Sequence, residues 1–209
     1  MGEAPFSPDP SHSAARRGRA LLGAAAEVET GRNRFVGQVR RAHRCGISEA
    51  VTQVDGCVDT IVRWAGWADK LDLVLPVAID RRPPPVAILA PAEFLGAARA
   101  ICSALAAGAR CVVAHESAAV RALVDVVAAE FPPSAVTLVA RDPDTVRRLA
   151  TTVTLLDARA AAADYDADLR LACAEAGTRV LPPLSPAALA DLADLDLVAA
   201  LFSGATVPV

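Results

Sequence analysis

The sequence predicts an α/β fold: an open parallel sheet with helices on both faces, preceded by an N-terminal helical segment. Three observations predict it. After the triple proline at 83–85, short apolar runs alternate with longer helical ones, and parallel strands buried on both faces read as near-continuous hydrophobic stretches. Between about Ala14 and Lys70, apolar residues instead recur at three- and four-residue steps, the helical period. The composition agrees. The 209 residues are 54% hydrophobic but only 4% aromatic, and the apolar content is mostly Ala, Val and Leu.

Residues 1–13, "MGEAPFSPDPSHS", are rich in Pro and Ser and are expected to form a disordered tail. Arg16 and Arg17 then precede a short apolar run, as in an export signal. That run meets Glu27 too soon and no cleavage site follows, so a helix start is expected. Val51, Val54, Val58, Ile61 and Val62 mark an apolar face, with Asp55, Asp59 and Arg63 on others. Gly31 and Gly46 divide the region into three helices.

"LDLVLPVAIDRRPPP" changes character to short β-like runs and ends in proline, which can neither continue a helix nor donate to a ladder. The expected division is a helical segment at 14–80 and an α/β domain at 81–209. In that domain "VAILA" (86–90), "CVVA" (111–114) and "AVTLVA" (135–140) read as buried strands. Helices are expected at 92–108, stopped by Gly108, and at 117–131, stopped by Pro132 and Pro133. Residues 142–150 and 152–158 read as a further helix and strand, and 164–176 and 186–202 as helical or mixed. Strands and helices in alternation imply parallel pairing through right-handed crossovers.

A net charge of -3 provides no general basic field for nucleic acid or anionic lipid. No stretch approaches the ~20 apolar residues of a membrane helix. Five dispersed cysteines (Cys45, Cys57, Cys102, Cys111, Cys173) without a CxxC pair fit reduced thiols in a cytoplasm. His12, His43 and His115 are too far apart in sequence for a local metal motif. The expectation is a cytoplasmic protein with no nucleic-acid, membrane or metal partner. The "DLADLD" carboxylates near the end are read as a solvated helix face.

Both tryptophans fall in "IVRWAGWADK" (61–70), three apart around Gly66. On a helix they share one face, which reads as a docking face with glycine allowing close approach. "RWAGWADKL" also resembles the segment preceding the cofactor domain in the aldehyde dehydrogenase superfamily. The resemblance continues through "PPPVAILAPAEF", "ALAAGARCVVAHES" and "EFPPSAVTLVA", and more faintly "GTRVLPPLSPAALADLADLDLVAALFSGA". It covers most of residues 30–205 and implies a Rossmann-like cofactor sheet.

Position by position, the family's chemistry does not carry over. The asparagine that holds the oxyanion falls on Glu93, whose charge would repel what it should stabilise. The lysine and glutamate that hold the adenosine ribose fall on Ala114 and Ser117, or after a one-residue shift on His115 and Ala118. The Phe-Thr-Gly-Ser turn near the pyrophosphate falls on "LLDAR" (155–159), where Asp157 and the missing glycine make a poor phosphate cradle. The general-base glutamate falls near Pro183, and the family's nucleophilic cysteine lies beyond Val209. Each cysteine present reads as structural and buried.

The resemblance therefore implies a shortened, degenerate homologue with no catalytic residues of its own. Vestigial cofactor contacts are expected at Leu89, Ala90, Pro91, His115 and Ser117, for NAD or NADP if any cofactor binds. His115 and Glu116 read as the only polar cluster at the carboxyl end of a strand, with Glu116 and Ser117 capping the next helix. The expected role is a partner-binding pseudoenzyme that self-associates or joins a full-length aldehyde dehydrogenase-type subunit. The alternatives are NAD(P)-dependent aldehyde oxidation completed by another chain, and a gene remnant.

Overall fold

The computed structural model describes residues 13–75 and 83–202, so the expected tail lies outside the described residues except for Ser13. Helices α1 (Ala14–Thr30), α2 (Arg32–His43) and α3 (Ile47–Ala68) fill the first region, broken at Gly31 and near Gly46 as expected. In α3 the buried stripe is Ala50, Val54, Cys57, Ile61, Trp64, Ala65 and Ala68, the i, i+3/i+4 pattern of a core-facing helix. Val62 does not join it and stands exposed. The β-like run after Lys70 begins instead as a single helical turn, α4 (Leu71–Val74). The remainder, 76–82, is outside the described residues.

Among the described residues five strands follow: β1 (Val86–Leu89), β2 (Cys111–Ala114), β3 (Val136–Val139), β4 (Leu155–Asp157) and β5 (Arg179–Leu181). Between and after them run α5 (Phe94–Ala107), α6 (Ala118–Glu130), α7 (Pro143–Thr152), α8 (Ala167–Ala176), α9 (Pro186–Asp191) and α10 (Asp194–Ala199). All neighbouring strands pair in parallel, in the order β3-β2-β1-β4-β5, a doubly wound, Rossmann-like sheet. Residues alternate between its faces. Val86 and Ile88 join a large core with the N-terminal helices, α5 and α6. Ala87 and Leu89 join a smaller core with α7 and α8.

The large core is continuous from α1 to the sheet. Phe35 of α2 meets Phe94 of α5, ring centroids 6.1 Å apart, a separation at which aromatic pairs attract. Gly108 ends α5 as expected, at a φ of 87°, which costs a side-chain-free residue nothing.

The tryptophans divide their labour. Trp64 is almost wholly buried in the core, whereas Trp67 donates Nε1–H to Asp194 Oδ2 at 2.9 Å and so holds α10. Arg63 donates to the same oxygen at 2.5 Å. One carboxylate of the "DLADLD" stretch is therefore buried and paired, which corrects the expectation of a wholly solvated face; Asp191 and Asp196 remain exposed.

Gly66 is not what allows close approach, because a Cβ built there meets nothing within 4 Å. The close crossing is at Gly18 of α1, where a Cβ would lie 3.0 Å from the Ala65 carbonyl oxygen of α3. Gly66→Ala is therefore expected to stabilise the protein by about 0.5–1 kcal/mol, the helix-propensity difference, raising Tm by roughly 1–4 °C. Gly18→Ala gains the same propensity but must push α1 and α3 away from each other, and its Tm should fall. Paired melting curves check both signs.

Candidate functional site

The chain runs from β1 outward to β2 and β3, then returns to the other side of β1 as β4. The carboxyl ends of β1 and β4 therefore bracket a topological switch point, the crevice where open α/β sheets bind ligands. A cavity of about 260 Å³ lies there, walled by Leu89 and Pro91 after β1, Gly96 and Ala100 of α5, and Leu189 and Ala190 of α9.

Its floor is charged. Asp157 ends β4, and Arg159 turns back on it. Arg159 donates Nε–H to Asp157 Oδ1 at 2.9 Å and Nη2–H to Oδ2 at 2.7 Å. The Arg159 backbone N–H also reaches Oδ1 at 3.2 Å, and Nη1 donates to the Leu197 carbonyl at 3.1 Å. Both side chains are over nine-tenths buried. This fork-to-fork geometry is the strong form of an ion pair, and it commits the charge of each group to the other. On the wall, Arg99 is likewise engaged, donating to the Leu189 and Leu192 carbonyls at 3.2 and 2.5 Å. Glu93, the residue before α5, is exposed and also lines the cavity.

A second, more open cleft lies beyond β2. His115 is buried, with Nε2 3.0 Å from the Pro91 carbonyl and Nδ1 2.8 Å from the Ser117 backbone nitrogen. The Ser117 amide can only donate, so Nδ1 accepts and Nε2 carries the proton to Pro91. Burial lowers the His115 pKa, Arg141 and His43 add to that, and the Pro91 bond and Glu116 oppose it. Neutral imidazole is the form this arrangement holds. Arg141, after β3, donates to the Ala90 carbonyl and to Asp164.

The structure separates the five residues expected as cofactor contacts. Leu89 and Pro91 line the switch-point cavity, while His115 and Ser117 line the second cleft with Arg41 and Arg141. The Ala90 carbonyl is taken by Arg141. Ser117 caps α6, its Oγ accepting from the Ala119 amide at 3.2 Å; Glu116 makes no such cap. Ala114 ends β2 and Ala118 begins α6. His115 and Glu116 are not the only polar cluster at a strand's carboxyl end, because Asp157 and Arg159 form another. The signal for it was the pair of opposite charges two apart after a strand, but the local sequence cannot say that they face one cavity.

None of the five cysteines forms a disulfide. Cys45 lies in the α2–α3 loop and is half-buried, not in a helix as its surroundings suggested. Burial pushes the Cys57 thiol up to about 12 and raises those of Cys102, Cys111 and Cys173. Among the described residues no group of acidic, His or Cys side chains could hold a metal ion, and no helix is long and apolar enough to cross a membrane.

No family model matches the chain, and no curated protein matches it. Solved structures do. The chain is similar to the NAD-dependent aldehyde dehydrogenase of Sinorhizobium meliloti, at 16% identity and a TM-score of 0.65 over 80% of this chain and 37% of that one. It is similar to the betaine aldehyde dehydrogenase of Staphylococcus aureus in complex with NAD+, at 16% identity and a TM-score of 0.67, with the same coverage. HpcC of Thermus thermophilus matches at 19% identity and a TM-score of 0.67 over 83% of this chain and 37% of its own. This chain thus spans well under half the length of those proteins. Over the stretch they share, its fold is that of the aldehyde dehydrogenases.

Proposed function

We propose that this chain is a non-catalytic member of an assembly of aldehyde dehydrogenase fold, working through association with itself or with a full-length subunit of that fold. The observation that carries the reading is the buried Asp157–Arg159 pair at the switch point. A dinucleotide's pyrophosphate needs free backbone donors and close approach. The switch point here carries instead a carboxylate committed to its arginine, which also donates to the Leu197 carbonyl, and Glu93 on the wall; both support this reading. The cavity of about 260 Å³ is also below the roughly 300–1,000 Å³ of ordinary ligand pockets. The thiols raised by burial supply no thiolate to attack an aldehyde. Exposed apolar side chains, foremost Leu73 at 83% and Ile47 at 62%, give a partner surface to cover.

The test is light scattering of the purified chain across a dilution series, alone and with a full-length homologue from the same genome, beside titration with NAD+ and NADP+. The expected result is a dimer or larger species, or a complex with the homologue, and no heat or thermal shift at millimolar nucleotide. A dilution-resistant monomer that ignores the homologue overturns the association. Nicotinamide reduction by the chain alone with an aldehyde overturns the reading entirely.

A further inference from the structure

A group of arginines lies at the other end of the sheet. A cleft of about 420 Å³ opens beside the amino ends of β2 and β3, and four arginines line it: Arg16, Arg17 and Arg19 from α1, and Arg110 from the residue before β2. A single carboxylate, Glu130, shares the lining. In a chain of net charge -3, this is a local reversal of sign. Arg16, Arg19 and Arg110 are exposed, and their guanidinium groups make no hydrogen bond or ion pair with the described residues. Arg17 is fixed deeper, donating Nε–H to the Ala106 carbonyl at 2.9 Å and Nη2–H to the Ala68 carbonyl at 3.4 Å. Burial disfavours its cation, and Asp72 only partly offsets that.

The cleft is not merely a wet basic surface. Its remaining wall is apolar, formed by Leu105, Ala109, Phe131, Pro132 and Ala135, with Leu105 and Ala109 buried. Three of the four arginines also sit where the helix backbone does not favour them. Arg16, Arg17 and Arg19 lie in the first two turns of α1, which has no acidic residue in its first turn and no side-chain cap from Ser13, and cations at a helix start oppose the helix dipole. A planar guanidinium suits bidentate contact with phosphate or carboxylate. Sequence features that break a local rule without compensation concentrate at functional sites.

We infer that this cleft binds a small organic anion, a phosphate or carboxylate head held by Arg16, Arg19 and Arg110 with an apolar body against Leu105 and Phe131. The site lies at the opposite end of the sheet from the switch point and is independent of the association proposed above.

Isothermal titration with octyl phosphate, inorganic phosphate, octanoate and octylamine tests it, on the full chain at low salt. Octyl phosphate and octanoate are expected to bind at least tenfold more tightly than inorganic phosphate, and octylamine not at all. Affinity should fall as salt is raised, since the pairing is solvent-facing. The double variant R19Q/R110Q should lose at least tenfold in affinity while melting within a few degrees of the parent, because both side chains are exposed. Vesicles of anionic phospholipid form a separate arm: capture by vesicles without binding of the soluble amphiphiles assigns the charge to a lipid surface and overturns the small-ligand site. Equal binding of octylamine, no gain from the alkyl chain, or undiminished affinity in R19Q/R110Q would each overturn it as well.

Discussion

Replacing Asp157 by alanine is expected to destabilise the fold by about 3–5 kcal/mol, the usual cost of removing one partner from a buried ion pair. The reason is what is left behind. Arg159 would keep its charge in a site where it is only 6% exposed, retaining one neutral acceptor, the Leu197 carbonyl. The fork that satisfied Nε and Nη2 would be gone. Urea unfolding should show a lower midpoint with an unchanged slope, the sign of lost stability without a change in the surface exposed. The double replacement D157L/R159M separates charge from packing. Well-packed apolar pairs often match or exceed the ion pair they replace, so it should recover most of the loss, less the unsatisfied Leu197 carbonyl. A single variant that costs less than about 1 kcal/mol would mean that water reaches the pair, on the scale of exposed salt bridges, and the closed floor of the switch point would go with it.

Trp64→Ala is the second large effect. The side chain is 1% exposed and lies where α3 meets the rest of the large core. Removing a buried Trp leaves both the transfer loss and a cavity, about 3–5 kcal/mol in all, or roughly 6–20 °C in Tm for a chain of this size. Its neighbour gives a control with the same residue type. Trp67→Phe keeps most of the ring's contact and removes the indole donor to Asp194, which retains Arg63. That loss should be near ~1 kcal/mol, the net worth of an ordinary hydrogen bond. If the two variants melt alike, Trp64 is not the anchor its burial suggests.

The fold was largely legible because its signals are local. Fully apolar runs such as "VAIL" and "CVVA" mark buried parallel strands, and β1 and β2 fall within the residues expected. Gly108 and the Asp142–Pro143 start bound their helices through backbone chemistry that needs no neighbour. β5 escaped because Arg179–Leu181 is three residues long and begins with a charge, too short to show a period. Leu71–Val74 looked β-like on composition, yet it continues from α3 as one turn.

The candidate site was less legible, for a different reason. Leu89 and Pro91 were marked through resemblance, but the switch point depends on strand order, which no local pattern carries. Asp157 read as a charge hostile to phosphate; that Arg159 neutralises it follows only from the turn after β4. In "DLADLD" three carboxylates look alike, and burial against Trp67 sets Asp194 apart. Glycines misled in the same way. Gly66 drew notice between two rings, whereas the crossing that needs a missing Cβ is far earlier in the chain, at Gly18.

Phe35 against Phe94 has a practical corollary for anyone cloning pieces of this gene. An expression product beginning at Pro83 would keep all five described strands but strip the cover from Phe94, Ile101 and Leu105, which are nearly or fully buried beneath the N-terminal helices. Such a fragment would present its greasy interior to solvent and go to inclusion bodies, not report on the sheet alone. Those first helices serve this polypeptide as the lid of its own oil.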